Sequence, residues 1–403
     1  MAISAASSAI SEAAVSEPAF VAIDAGVLFT SERTFSPGRL LIQGTTVASA
    51  GALESVPLPG NAVRIDASQL VVAPGFIEPH IHGCGGVDVM EGTHASLNAL
   101  SRILVRHGTT SFLPTTVSSP APMLLRTIEE LGAVMEQSFD GAVPLGIHLE
   151  GPFINPLRRG THKASNVQPP DVGVFENWVR ASNHNVRLIT VAPELMGIES
   201  LLRMAERLGV TVAMGHSNAT FEEAAAAADC GIRYAVHTFN AMRHFAHRDP
   251  GIIGEVLSDD RVFAEIIADG IHVHEAAVRM FARAKGKGRV LLATDAISAT
   301  DMPDGQYRLG TDPVTVVNGV CRDAAGRLAG STLTQEVALR NFVRWTGWSI
   351  DDALAALTIN PARALKLDRK GTLEPGADAD VAIMDADFRI MQTLVQGRVV
   401  FER

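Results

Sequence analysis

Residues 74–86 read Pro-Gly-Phe-Ile-Glu-Pro-His-Ile-His-Gly-Cys-Gly-Gly, and the apolar run Leu70 to Ala73 leads into them. His80 and His82 are two positions apart, so on an extended strand both rings leave the same face. Two imidazoles on one face can clamp one divalent cation. Gly83, Gly85 and Gly86 follow, and their missing side chains let backbone approach a ligand closely. Taken alone, such a pair equally suits a buried strand end with two satisfied histidines. Further ligands at matching places downstream decide between these readings.

Working outward, the centre of the chain alternates apolar runs with helical stretches. The runs are 75–82, 109–116, 143–150, 186–194, 210–217, 233–240, 262–270 and 289–296. Amphipathic or Ala-rich segments at 95–106, 121–137, 199–207, 221–228 and 275–285 separate most of them. Strands alternating with helices predict a parallel sheet, and eight such units predict a closed (β/α)₈ barrel of the TIM type. An open doubly wound sheet is the rival, but no Gly-rich dinucleotide fingerprint supports it.

Both chain ends have a different texture. Short strand-like runs fill 20–73, with Gln43-Gly44-Thr45-Thr46 as a hairpin turn, and recur at 379–384, 393–395 and 398–401. The expected organisation is a small β-sandwich domain from 20–73 with 359–403, flanking a barrel over 74–358. The Ala- and Ser-rich stretch Met1 to Glu17 has no Lys or Arg and is interrupted by Glu12 and Glu17. It makes a poor signal peptide, so 1–19 is expected to be a flexible tail.

Composition narrows the function classes. Of 403 residues 47% are hydrophobic and 19% charged, which describes a globular chain with a large core. The net charge of −10 argues against a nucleic-acid partner, because phosphate backbones want a basic face. Cys84, Cys230 and Cys321 are scattered and odd in number, which suits a reducing compartment and points to the cytoplasm. No uncharged apolar stretch is long enough to span a membrane.

The polar residues sit at the ends of the apolar runs. These are His80 and His82 on the first, Glu150 on the third and His216 on the fifth. His237 and Asn240 end the sixth, Asp269 and His272 the seventh, and Asp295 the eighth. In a barrel all C-terminal strand ends meet at one rim, where active sites lie. Ionisable groups are rarely buried unpaired, so core packing is a poor explanation for six strands sharing this pattern. His80, His82, Glu150, His216, His237 and Asp295 offer nitrogen and oxygen donors suited to Zn²⁺, Fe²⁺, Mn²⁺ or Co²⁺. They suffice for two metals with Glu150 bridging, or for one on Glu150, His216 and His237 with an open water position. Such a cation lowers the pKa of water toward ~7. Asp295, last on the eighth strand, is the candidate to carry a proton to a leaving group.

These motifs together resemble the amidohydrolase superfamily and, within it, the N-acetylglucosamine-6-phosphate deacetylase family. The resemblance covers the chain from about residue 20. It rests on residues 74–83, His148 to Phe153, Arg159 to His162, Ala192 to Glu194 and Gly215 to Ala219. His237 to Met242, Ile267 to Val273, Thr294 to Ala296 and Leu328 to Ser331 complete it. It implies that Glu150, His216 and His237 bind the metal, and that Asp295 is the general acid/base. It also implies that His162 and His272 contact the sugar and the amide carbonyl. Asn240, Ala241 and Arg248 would hold a phosphate, with Arg248 supplied by either subunit of an expected homodimer. Leu328, Ala329 and Gly330 would line the sugar pocket. Some members lack the first two histidines and bind one metal; this chain keeps both, so one or two metals per subunit remain open. The implied reaction is metal-dependent hydrolysis of the acetamide of N-acetylglucosamine 6-phosphate. N-acetylgalactosamine 6-phosphate or another N-acyl substrate is the alternative.

Overall fold

The structure is a computed structural model that describes residues 20–403; the tail expected over 1–19 lies outside them. Eight parallel strands form the central ring: β1 (Phe76–Ile81), β2 (Thr109–Thr116), β3 (Ile147–Glu150), β4 (Val186–Val191), β5 (Thr211–Met214), β6 (Tyr234–Ala235), β7 (Phe263–Ile266) and β8 (Val290–Leu292). A two-residue piece, Val143–Pro144, pairs with β2 just ahead of β3. Just past β8, Ala296 bridges in parallel to Ile81, and the His82 amide donates to the Ala296 carbonyl, which closes the ring.

Each of the seven crossovers carries a helix, α1 (His94–Leu104), α2 (Ala121–Val134), α3 (Val172–Ala181), α4 (Ile198–Leu208), α5 (Phe221–Asp229), α6 (Gly251–Ser258) and α7 (Glu275–Lys285), and α8 (Gln335–Thr346) follows β8. The local chemistry explains their limits. Thr220 accepts from the Glu223 amide while the Glu223 side chain returns to the Thr220 amide, a capping box that starts α5. α4 buries Ile198, Leu201, Leu202, Met204 and Ala205, a stripe at helical spacing, and ends at left-handed Gly209. The ring is filled by Ile77, Leu113, Leu188, Ala213, Tyr234, Phe263 and Leu291, joined by Ala362 and Ala364 of the helix Ile359–Ala364. It is therefore a packed core and not a pore.

The two chain ends build one hydrogen-bonded sheet of eight strands. The strand Val381–Met384 pairs antiparallel with Val63–Pro74, which pairs in parallel with Val21–Phe29. Gln43 pairs with Thr46, so the hairpin turn falls at the expected place. The expected sandwich thus takes the form of one continuous, mostly antiparallel sheet. One of its faces buries Ile23, Leu28, Leu40, Ile42, Val72 and Leu394.

A three-stranded antiparallel insertion follows β8, with strands at Gly305–Leu309, Asp312–Val317 and Val320–Asp323. Its own small core contains Leu309, Val314, Val316 and Cys321 against Ile297 and Ala329. No sequence signal separated it from the barrel, since its alternation is short and its turns are ordinary. No helix among the described residues is long and apolar enough to cross a membrane.

Candidate active site

The C-terminal strand ends converge on the Glu150 carboxylate at the end of β3. Glu150 Oε1 lies 3.0 Å from His237 Nε2, 3.1 Å from His216 Nε2 and 3.3 Å from His80 Nε2. Glu150 Oε2 lies 3.3 Å from both His82 Nε2 and His162 Nε2. Asp295 Oδ1 stands 3.2 Å from His82 Nε2. All of these rings are buried. His216, His237 and Asp295 hold φ angles of +47°, +29° and +51°, a region that non-glycine residues rarely enter. Such strain concentrates at functional sites, where the surrounding structure over-determines it.

For four of these five rings the second nitrogen settles the tautomer; His237 Nδ1 is buried without a partner. His82 Nδ1 faces the Thr115 carbonyl at 3.0 Å, and His216 Nδ1 faces the Arg158 carbonyl at 2.9 Å. His80 Nδ1 lies 3.0 Å from the Glu265 carboxylate. Carbonyl and carboxylate oxygens only accept, so in each neutral ring the proton sits on Nδ1 and the Nε2 lone pair faces Glu150. His162 is the opposite case. Its Nδ1 accepts the Ser118 amide N–H at 3.2 Å, so Nε2 carries the proton and donates.

This arrangement fits a cation. The His216 and His237 Nε2 atoms are 3.2 Å apart, and His80 Nε2 has no hydrogen-bond partner. A cation among these nitrogens and the Glu150 oxygens would satisfy them together. Burial opposes charge on His82, yet hydrogen bonds to Asp295 and Glu150 outweigh it and lift its pKa to about 9. Burial also opposes charge on Glu150, and the imidazoles of His80 and His216 hold its pKa well below the carboxylate range regardless. Two groups could hold an ion, one of His80, His82 and Glu150 and one of Glu150, His162 and His216. The His162 tautomer argues against that ring as a ligand in the second group, and His237 is placed to take its role.

A cavity of about 430 Å³ opens over the cluster. Its wall includes Asn240, Ala241, His272, Leu328 and Gly330 together with His82, Glu150, His162, His216, His237 and Asp295. His272 Nδ1 is 2.7 Å from Asp269; burial opposes its charge, but that hydrogen bond raises its pKa. His80 lies behind the wall, fully buried. Ala329 turns away into the insertion's core, and exposed Arg248 lies outside the wall. Arg159, Lys163 and Arg327 do line it, three cations that the sequence reading did not assign to the phosphate. Lys163 pairs with Asp312, so the loop after β3 and the insertion meet over the cavity. Sequence reasoning also missed Glu265. Its signal was there: a lone carboxylate inside the apolar strand Phe263–Ile266 needs partners to be buried.

The amidohydrolase family profile matches residues 71–400, and the chain belongs to that family. Within it, an N-acetylglucosamine-6-phosphate deacetylase from Vibrio furnissii is 38% identical over 352 residues, 87% of this chain and 88% of the relative. An N-acetylgalactosamine-6-phosphate deacetylase from Escherichia coli O157:H7 is 36% identical over 373 residues, 92% of this chain and 97% of the relative. Among solved structures, a mutant N-acetyl-D-glucosamine-6-phosphate deacetylase from Mycobacterium smegmatis, in complex with N-acetyl-D-glucosamine-6-phosphate, superposes with a TM-score of 0.87. That pair is 35% identical and covers 95% of this chain and 99% of the other.

Proposed function

We propose that this protein hydrolyses the acetamide of N-acetylglucosamine 6-phosphate, releasing acetate and glucosamine 6-phosphate. One observation carries the reading: the Glu150 carboxylate gathers His80, His82, His216 and His237 at the floor of a sugar-sized cavity. The deacetylases to which the chain is similar support the substrate class.

A divalent cation, Zn²⁺, Fe²⁺, Mn²⁺ or Co²⁺, held by Glu150, His216 and His237 supplies Lewis-acid polarisation and a water of lowered pKa. His80 and His82, with Glu150 shared, offer room for a second. The His162 Nε2–H points at the same centre and donates to the amide oxygen as negative charge develops there. His272, braced by Asp269, holds the sugar or the carbonyl from the other side. The Asp295 carboxylate, kept ionised against burial by His82 and His80, takes the proton of the attacking water and delivers it to the departing amine. Asn240 and Ala241 hold the phosphate. Leu328 and Gly330 shape the sugar pocket, with Ala329 supporting the turn between them. Exposed Arg248 is assigned to the phosphate site of a partner subunit in a homodimer. The few, scattered cysteines support a cytoplasmic enzyme.

The test is acetate release from N-acetylglucosamine 6-phosphate by metal-loaded protein with and without chelator. No release between pH 6 and 9 would sink the reading. The similarity to an N-acetylgalactosamine-6-phosphate deacetylase supports a second substrate, the galacto epimer. Comparing kcat/KM for the two epimers decides. Against the unphosphorylated sugar a loss on the order of 10³-fold is expected, because charge-assisted contacts to phosphate are lost.

A further inference from the structure

Glu265 sits on β7 inside the ring, fully buried, beneath the metal cluster. Its Oε1 accepts the Tyr234 hydroxyl at 2.7 Å. Its Oε2 accepts the His237 backbone N–H at 3.1 Å and lies 3.0 Å from His80 Nδ1. One carboxylate therefore grips a ring on β1, a backbone amide after β6 and a phenol on β6. A second buried carboxyl, Glu78, uses Oε1 to accept the His80 backbone N–H at 3.1 Å and touches no ring.

We propose that Glu265 is the positioning residue that makes His80 a metal ligand, by accepting the Nδ1 proton and leaving the Nε2 lone pair free toward Glu150. The inference rests on the reading of His80 as a ligand. The physical reason is the donor inventory. An ionised carboxylate has no proton to give, so the neutral His80 ring has one stable tautomer against it. His80 Nε2 then points at Glu150 Oε1, 3.3 Å away, with nothing to donate and no partner of its own. The same carboxylate also accepts the His237 backbone N–H, and the Nε2 atoms of His80 and His237 both face Glu150 Oε1, so one brace serves two neighbouring residues of the cluster.

Glu265→Gln tests this while keeping shape. Its amide has one acceptor oxygen for the Tyr234 hydroxyl, and its NH₂ then faces His80 Nδ1 and the His237 N–H. His80 relieves that clash by moving its proton to Nε2, which removes the lone pair. In contrast, Glu78→Gln keeps an oxygen for the His80 amide, and Tyr234→Phe leaves both other Glu265 contacts. The measurement is Cd²⁺ bound per chain, by elemental analysis and by the number of ¹¹³Cd NMR resonances, with melting temperature as a check on folding. Expected are two ions in the unmodified protein, Glu78→Gln and Tyr234→Phe. Glu265→Gln is expected to keep one and to bind the other about 10–100-fold more weakly. Two ions of unchanged affinity in Glu265→Gln overturn the role of Glu265 alone. A single ion in the unmodified protein overturns the ligand role of His80, and the proposal with it. Should Glu265→Gln not fold, ¹⁵N-histidine NMR of the Cd²⁺-loaded unmodified protein serves instead. Cadmium coupling at His80 Nε2 with a proton on Nδ1 supports the proposal, and any other pattern overturns it.

Discussion

The backbone N–H of Ser118 donates to His162 Nδ1 at 3.2 Å, and this contact decides what His162 can do. A ring that accepts at Nδ1 carries its proton on Nε2, so it cannot ligate through that nitrogen while neutral. Burial and the neighbouring His216 lower its pKa despite Glu150, which keeps the ring neutral. On the proposed reading His162 is thereby a donor among the residues that would hold the metal. His162→Phe is expected to lower kcat by about 10²–10³-fold, the usual cost of losing one donor to a developing oxyanion. Its metal content should stay unchanged. His162→Gln places an amide N–H near the Nε2 position and should recover part of the rate. Steady-state kinetics with metal analysis on each variant checks both statements.

Asp295 is expected to behave differently from the histidines. Its carboxylate stands 3.2 Å from His82 Nε2 at the mouth of the site. Asp295→Asn keeps an oxygen donor but cannot take a proton, so kcat should fall by at least about 10²-fold with a tightly held metal remaining. Turnover within a few-fold of the unmodified rate would remove Asp295 from proton transfer.

Glu150 is the residue whose loss should empty the site. Five imidazole nitrogens face its two oxygens within 3.3 Å. Glu150→Gln puts an N–H donor where a lone pair is needed. Metal content should drop to background, activity should vanish, and added Zn²⁺ should restore neither. Removal of metal from the unmodified protein by chelator should be reversed by the same addition.

Gly330 links the cavity wall to Asp295. Its φ is +61°, and a Cβ there would lie 2.4 Å from Ile297 Cγ2 and 2.9 Å from the Asp295 carbonyl. Gly330→Ala therefore strains the backbone and pushes on Asp295 together. A destabilisation of about 1–3 kcal/mol is expected from the conformation alone, with a drop in kcat at unchanged metal content. Denaturant melts beside kinetics test the two parts separately.

The small sheet supplies a pH-dependent stability term far from the site. The Arg39 hydrogen bond, opposed by burial and aided by Arg64, holds the Asp24 carboxyl below its ordinary range. The folded pKa is the lower one, so the stabilisation is present above the unfolded value near ~4. It is lost as pH falls through the folded pKa. Asp24→Asn should cost about 1–3 kcal/mol at pH 7, because half-buried Arg39 loses its charged partner. The gap in melting temperature between variant and unmodified protein should shrink as pH falls below the unfolded value and close once it is below the lowered folded pKa. Calorimetry across that range checks it.

Much of this molecule could be read from its text. Apolar runs at regular spacing gave all eight ring strands, because a strand buried on both faces must be apolar along its length. The residues that end those runs, His80, His82, Glu150, His216, His237 and Asp295, were legible because polar groups at a shared strand end have no place in a core. The insertion between β8 and α8 was not legible, since three short strands with exposed alternate positions look like any surface loop. Nor did sequence reveal that Ala329 faces away from the cavity that Leu328 and Gly330 line, because one φ value sets that turn.

Residue types and their spacing by themselves determined the ring, its rim and the list of donors. Only the tertiary structure decided what each donor does. Which nitrogen of His80 or His162 bears a proton depends on Glu265 and on the Ser118 amide, which stand 185 and 44 positions away along the chain. A hydrogen-bond partner that distant becomes a neighbour only when the ring closes, so the chemistry of the imidazole is written in the fold.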